Sequence, residues 1–423
     1  LIKSAKNENY FDFSDKDFSI VSLYGENSFI PAAASSYGVA GTFWKTDVMV
    51  LNPYNETICY DLIFVPKGED GTFSPICESM CLKGKKALFY EDILRTTCGI
   101  SENSSGNIRI FSERLPVITS RTYNDTKYGT YGQFILSARE ENSIKSEKLR
   151  QGNFGYIVGL NENPSFRTNI GFTEVEGERT TLKVSAFASS GTEIGNRIIE
   201  ILPFSWIQMN WRDFGFPEVY NGYAKVEILS GGGILSYGSV IDNLTGDAFY
   251  IPLKKPSEAL SENQMVAVVA HSEGAYGTNW QSDLWLLNTN SKEKTITLKY
   301  MTKSVSHPKE YKINGFEQLY LRDLVKEVFQ GKEKDSSGSL FLENASGIIA
   351  VSRTYNNTQN GTYGQFIPAF GFDNMIGKEG VGYITSLKCN ENFRSNIGFS
   401  NFEERDTVIT LSIFNSDGRL LSS

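Results

Sequence analysis

The stretch SRTYNDTKYGTYGQF, from Ser120 to Phe134, is written again as SRTYNNTQNGTYGQF from Ser352 to Phe366. A duplication of this length constrains the fold more than composition does, because it marks a piece of structure that the chain has to build twice. Arg353 follows Arg121 by 232 residues. Two further pairs keep nearly the same interval: GTFWKTDVMVLN (Gly41–Asn52) with GTNWQSDLWLLN (Gly277–Asn288), and NPSFRTNIGF (Asn163–Phe172) with NENFRSNIGF (Asn390–Phe399).

The large unit is itself double. FWKTDVMVL and FRTNIGF both read aromatic, long polar residue, Thr or Ser, Asp or Asn, then an apolar alternation. Trp44, Phe166, Trp280 and Phe393 open the four copies, which gives a basic module of about 115 residues. Other landmarks keep the same order: YEDIL, WRDFG and LRDLV align on Asp92, Asp213 and Asp323, and YGQFIL, DAFYIP and YGQFIP close the modules. The expected division is an N-terminal segment 1–21 read as the end of a preceding module, then module A1 at 22–148, B1 at 149–258, A2 at 259–378, and a partial B2 at 379–423.

Within a module the apolar residues alternate at period two. TTLKVSAFAS (Thr180–Ser189), KTITLKYM (Lys294–Met301) and TVITLSIF (Thr407–Phe414) read as half-buried strands, separated by Gly, Asn, Asp and Ser clusters. This pattern predicts an all-β chain of tandem antiparallel sandwiches of immunoglobulin-like size, arranged as two A–B pairs with the last module incomplete. The repeated Asp92, Asp213 and Asp323 are expected to cap a short helical turn. The recurring peptide reads as a hairpin. VITSRTYN is the strand, DTKYG the turn and TYGQFI the returning strand; Asn124 and Asp125 tolerate left-handed backbone and bond their own main chain, while Gly129 and Gly132 supply turn or bulge conformations. In B1 the hairpin survives as YGSVIDNLTGDAFYIP without the Arg. Repeats that touch only their neighbours make elongated molecules. The partial B2 leaves TVITLSIF to be completed by residues outside the chain or by a partner's strand.

Chemistry is sparse. The net charge is −8 and the pI about 5.2 with no basic stripe, which argues against nucleic acid and anionic membrane. Apolar runs such as VMVL are strand-sized, far short of the ~20 residues of a membrane span. The only histidines, His271 and His307, read as loop residues outside any metal or triad motif. Asp47 and Asp283 alternate with Asn169 and Asn396 in the repeat, so they read as hydrogen-bonding structural groups. No catalytic residue is expected. Asp242 and Asp247 offer oxygens suited to calcium, against the competing reading of an Asx-rich turn, and no other cofactor is implied. Trp206 and Trp211 have no Trp counterparts and are the candidates for a ligand-stacking surface, against a core or inter-module contact. Trp44, Trp280 and Trp285 sit at strand positions and read as core. Arg121 and Arg353 occupy a late strand, Arg167 and Arg394 an early one. They are expected to bridge strands or modules, or to cover apolar surface with their stems. Cys59, Cys77, Cys81 and Cys98 crowd into A1, with Cys389 alone; they form one or two disulfides in an oxidising compartment or stay as buried thiols.

The linked motifs GTFWKTDVMVLNP, SRTYN…GTYGQFIP and FRTNIGF resemble repeat segments of large secreted or surface-attached bacterial proteins built from tandem immunoglobulin-like sandwiches. The resemblance implies architecture and an extracellular, cell-surface or periplasmic location, and no chemistry. The expectation is a structural or assembly protein, a rod, stalk, filament or surface-layer component, whose partners are other copies of itself or other surface proteins. The alternative is an adhesin-like module that binds glycan or protein.

Overall fold

The computed structural model describes residues 2–3, 11–12, 25–38, 41–101, 103–127, 129–139, 142, 153–302, 306–329, 336–403 and 405–423. In the N-terminal segment 1–21 only Ile2–Lys3 (β1) and Phe11–Asp12 (β2) are described, and they pair antiparallel. The remaining residues of that segment, and most of the expected A1–B1 boundary, lie outside the described residues.

Alternation makes the strands. In β4 (Phe43–Leu51) the side chains of Thr46, Val48 and Val50 are buried while their neighbours are half-buried, as one covered sheet face requires. Around it run β3 (Glu26–Tyr37), β5 (Ile58–Pro66), β6 (Ile76–Leu82), β7 (Ala87–Tyr90), β8 (Ser104–Ser112), β9 (Val117–Thr126), β10 (Gly129–Leu136) and the short β11 (Ala138–Arg139). The second set is β12 (Phe154–Glu162), β13 (Phe166–Glu174), β14 (Thr180–Phe187), β15 (Glu193–Ile201), β16 (Trp206–Asn210), β17 (Val219–Ser230), β18 (Ile234–Asp242) and β19 (Ala248–Pro252). The third is β20 (Asn263–Glu273), β21 (Asn279–Asn288), β22 (Lys294–Met301), β23 (Ser306–Ile313), β24 (Gln318–Leu321), β25 (Ser336–Glu343), β26 (Ile348–Thr358) and β27 (Gly361–Gly371).

One strand order recurs in all three sets. The first sheet runs β3-β8-β5-β6, β12-β17-β14-β15 and β20-β25-β22-β23; the second runs β7-β4-β9-β10, β16-β13-β18-β19 and β24-β21-β26-β27. Every pairing between these strands is antiparallel, and the whole is consistent with β-sandwiches. In the first and third units the two sheets also join at a corner, through Ser36↔Trp44 and His271↔Gln281. A short turn follows the fifth strand each time: α1 (Ile93–Thr96), a 3-10 turn at Trp211–Phe214, and α2 (Leu324–Glu327).

The units share cores with their neighbours. Trp206 and Tyr237 of the second unit pack in the apolar cluster of the first. Trp285, Leu287, Ile349 and Val351 of the third pack in that of the second. The outer face of each later unit's second sheet is therefore covered, and β18 and most of β21 and β26 are buried on both faces. The equivalent β4 still alternates. The expectation that units touch only their neighbours does not hold: Tyr131 of the first unit and Tyr363 of the third meet edge to face at 5.9 Å.

The expected strand Thr407–Phe414 forms only as β28 (Ile413–Phe414), which pairs with β29 (Leu420–Ser422). The described residues of 375–412 form no strand, and no partner strand among the described residues pairs their backbone. Among the described residues no helix is long and apolar enough to cross a membrane.

Candidate functional site

The peptide written twice in the sequence, and its altered version in the second unit, meet in space. The hairpins β9–β10, β18–β19 and β26–β27 converge where the three units abut. Their register explains the repeated glycines. Gly132 faces Tyr123 and Gly364 faces Tyr355. A Cβ on Gly132 would lie 2.4 Å from the Thr122 carbonyl oxygen, and one on Gly364 2.4 Å from Tyr355 Cβ, so no side chain fits at either place. The turn lies later than expected, since β9 and β26 continue to Thr126 and Thr358. Asn124 and its equivalent Asn356 remain extended, and their side-chain oxygens accept from the Phe43 and Asn279 amides at 2.9 and 2.8 Å. These contacts tie the hairpin to the start of the unit's second strand.

The second unit's turn grips the third unit's hairpin. Asp242 Oδ1 accepts from the Leu244 and Thr245 amides of its own turn, and Oδ2 accepts from the Thr362 amide (2.9 Å) and hydroxyl (2.7 Å). Asp247 Oδ2 accepts from the Gly364 amide at 2.8 Å. The Thr245 hydroxyl donates to the Thr362 carbonyl at 3.0 Å. Beneath this clasp lies Arg353, only 3% exposed. Its Nη2 donates to the Thr362 hydroxyl at 3.0 Å and stands 3.9 Å from Asp247 Oδ2, while its guanidinium lies over the rings of Phe249 and Tyr355. Burial lifts the Asp247 carboxyl to about 7, against the pull of the Gly364 amide and of Arg353. Burial also lowers the Arg353 pKa, while Asp247 and Asp283 favour its charge. The geometry makes Asp242 and Asp247 hydrogen-bond acceptors between units. Among the described residues no cluster of three or more His, Cys, Asp or Glu is placed to hold a metal.

Among the described residues the first unit's copy of this hairpin has no such clasp. Arg121 is half-buried and donates from Nη1 and Nη2 to the hydroxyl and carbonyl of Thr130, within its own unit. Against the second unit its hairpin offers Gln133, whose side-chain oxygen accepts from the Ser239 hydroxyl at 3.0 Å. Between the hairpins of the first and third units lies a cleft of about 850 Å³, lined by Arg121, Tyr131, Thr245, Trp280, Asn360 and Tyr363 among others.

The other sequence candidates are scattered. Trp206 and Trp211 are 4% and 0% exposed, so neither forms a stacking surface. Trp206 fills the contact with the first unit and donates to the Tyr237 hydroxyl; Trp211 lies in the second core and donates to the Pro217 carbonyl. Unrepeated aromatics mark an irregular core here. Trp285 is buried, whereas Trp44 and Trp280 are only half-buried at the mouths of their strands. Arg167 donates to Asn243 across its own unit, and Arg394 lies over the exposed ring of Tyr276. Asp92 and Asp323 do not cap their helical turns with side chains. Both are left-handed, with φ of 40° and 38°, and donate their amides to Asp47 and Asp283. Only Asp213 acts as expected, accepting from the Asn210 amide in a capping box. His271 and His307 lie on strands, and His271 Nδ1 sits 2.9 Å from Asp323 Oδ1. The structure pairs Cys59 with Cys81 and Cys77 with Cys98, and leaves Cys389 exposed.

Sequence reading missed the residues that make the contacts between units, above all Thr362, Gly364, Gln133 and Gln318. Gln318 donates to the Asn221 and Gly222 carbonyls and accepts from the Gly159 amide. For the first three the signal was the repeated GTYGQF itself; for Gln318 there was none. No family model matches the chain, and no curated protein matches it.

Proposed function

We propose that this chain is a non-catalytic structural or assembly protein of the cell exterior. Its units are read as tandem copies of one sandwich of about 115 residues, immunoglobulin-like in size and layering, in A–B pairs with residues 379–423 opening a fourth. The strand order, first-sixth-third-fourth and fifth-second-seventh-eighth, is its own.

The observation that carries the assembly reading is the C-terminal stretch. Val381, Ile384, Phe399, Val408 and Ile409 are each more than half exposed, at 73, 58, 54, 96 and 54%, in a segment patterned as strands. A run of apolar residues with unpaired backbone is a surface that another strand covers. The two cystine pairs support an oxidising compartment. With Trp206 and Trp211 buried, the glycan-binding alternative loses the residues that motivated it.

Light scattering across a concentration range tests this reading. The expected result is a mass that climbs above the 47.3 kDa of one chain. A constant monomer contradicts it.

A further inference from the structure

The contact between the second and third units is made a second time, by the C-terminal stretch against the first unit. Where the second unit meets the third, the Gln318 amide donates to the Ser189 carbonyl at 2.7 Å. Where the C-terminal stretch meets the first unit, the Ala87 amide donates to the Ser416 carbonyl at 2.8 Å. Ser189 and Ser416 hold the same place in the repeat, in SAFASSG and SIFNSDG, and each acceptor loop receives the start of a fifth strand.

The match extends to neighbouring residues. A Cβ on Gly191 would lie 2.7 Å from the Phe316 carbonyl oxygen, and one on Gly418 2.7 Å from that of Lys85. Phe316 and Lys85 are both left-handed, at φ 62° and 63°. Gly159, φ 79°, faces Trp285 of the third unit; its equivalent Ser386, φ 62°, sits by Thr119 of the first, whose hydroxyl also meets that of Thr385 at 2.6 Å. Trp285 and Thr119 both belong to the second sheet of the unit that is docked upon.

We infer that four units close into a ring, the fourth docking back on the first, and that the cleft between the first and third hairpins is the seat of the fourth unit's late hairpin. The occupant is the late half of a unit of the second kind, joined to the early half that residues 379–423 supply. Its turn would present two carboxylates spaced like Asp242 and Asp247. Thr130 and Gly132 stand ready to receive them. They hold the register positions of Thr362 and Gly364, opposite Asp125 and Tyr123 as the latter are opposite Asn357 and Tyr355. Their amides therefore face the cleft, and among the described residues no carboxylate is bonded to them. Arg121 lies below them as Arg353 lies below the clasp.

This goes beyond the assembly reading: it gives the cleft and the exposed C-terminal stretch an occupant within the same molecule. Ser423 aligns with Asn196, so fusing a second copy of residues 197–258 after Ser423 completes the fourth unit in the second unit's sequence. Hydrogen exchange of the fusion is expected to slow at 379–412 and, by about tenfold or more, at Thr130–Gly132. Asp242→Asn with Asp247→Asn in the appended copy alone is expected to restore fast exchange at Thr130–Gly132 and to leave 379–412 slow. A folded fusion whose Thr130–Gly132 exchange is unchanged overturns the seat.

A second measurement needs no fusion. In the 423-residue chain carrying Cys389→Ser, Ala87→Cys and Ser416→Cys are expected to cross-link within one monomer on mild oxidation. Their failure to do so, or a link formed only between chains, overturns closure. The two readings separate cleanly: a fusion that closes while the 423-residue chain stays monomeric keeps the ring and removes self-assembly, and the reverse removes the ring alone.

Discussion

The first and third units carry one hairpin sequence in two settings. In the third, Asp242 and Asp247 of the preceding unit hold Thr362 and Gly364, and Arg353 is 3% exposed. In the first, the same arginine, Arg121, is half-buried and, among the described residues, donates within its own hairpin. Sequence therefore sets the hairpin, and the neighbour sets how far its arginine is desolvated. The units are also secured differently: both disulfides fall in the first, while the third holds its equivalent strands without one.

The largest expected difference comes from the arginines. Arg353→Ala leaves Asp247 buried without its cation and should cost about 3–5 kcal/mol, whereas Arg121→Ala should cost about 1 kcal/mol or less. Urea denaturation of the two variants checks this, and equal losses would break the comparison. Reducing the disulfides should lower the stability of the first unit by about 3 kcal/mol per bond and leave the third unchanged, read by exchange resolved along the chain. Asp242→Ala removes the acceptor of four hydrogen bonds, two in its own turn and two to the third unit, and should cost about 2–3 kcal/mol, against about 1 kcal/mol for its repeat counterpart in the first unit, Asn124→Ala.

The last effect is one of pH. Asp247 ionises near 4 in an unfolded chain and near 7 here, so folding favours its protonated form. Its contribution is complete below pH ~4 and is lost as pH rises through about 7. Burial raises Asp47, Asp92, Glu174 and Asp283 as well, with the same sign. Midpoints measured from pH 4 to 8 should fall with rising pH, and Asp247→Asn should flatten part of that slope while keeping an acceptor for the Gly364 amide.

Much of the fold was legible because period-two patterning and a repeat report on single strands. KTITLKYM became β22 from Lys294 to Met301, and a late hairpin formed in each of the three units, with later turns in the first and third. TVITLSIF shows the limit: its pattern is that of a strand, but strands exist by pairing. The contact site was half legible. GTYGQF pointed to the right hairpin, yet nothing in one sequence says that the acids of DNLTGD in one unit reach Thr362 and Gly364 in the next. Trp206 and Trp211 misled because an unrepeated aromatic can fill an irregular core as readily as mark a surface.

Amide exchange of the Thr362 and Gly364 pair against the Thr130 and Gly132 pair, in the 423-residue chain at a concentration where it is monomeric, tests the account most directly. The clasp predicts that the third-unit pair exchanges about tenfold or more slowly than the first-unit pair. Equal protection of the two would contradict it.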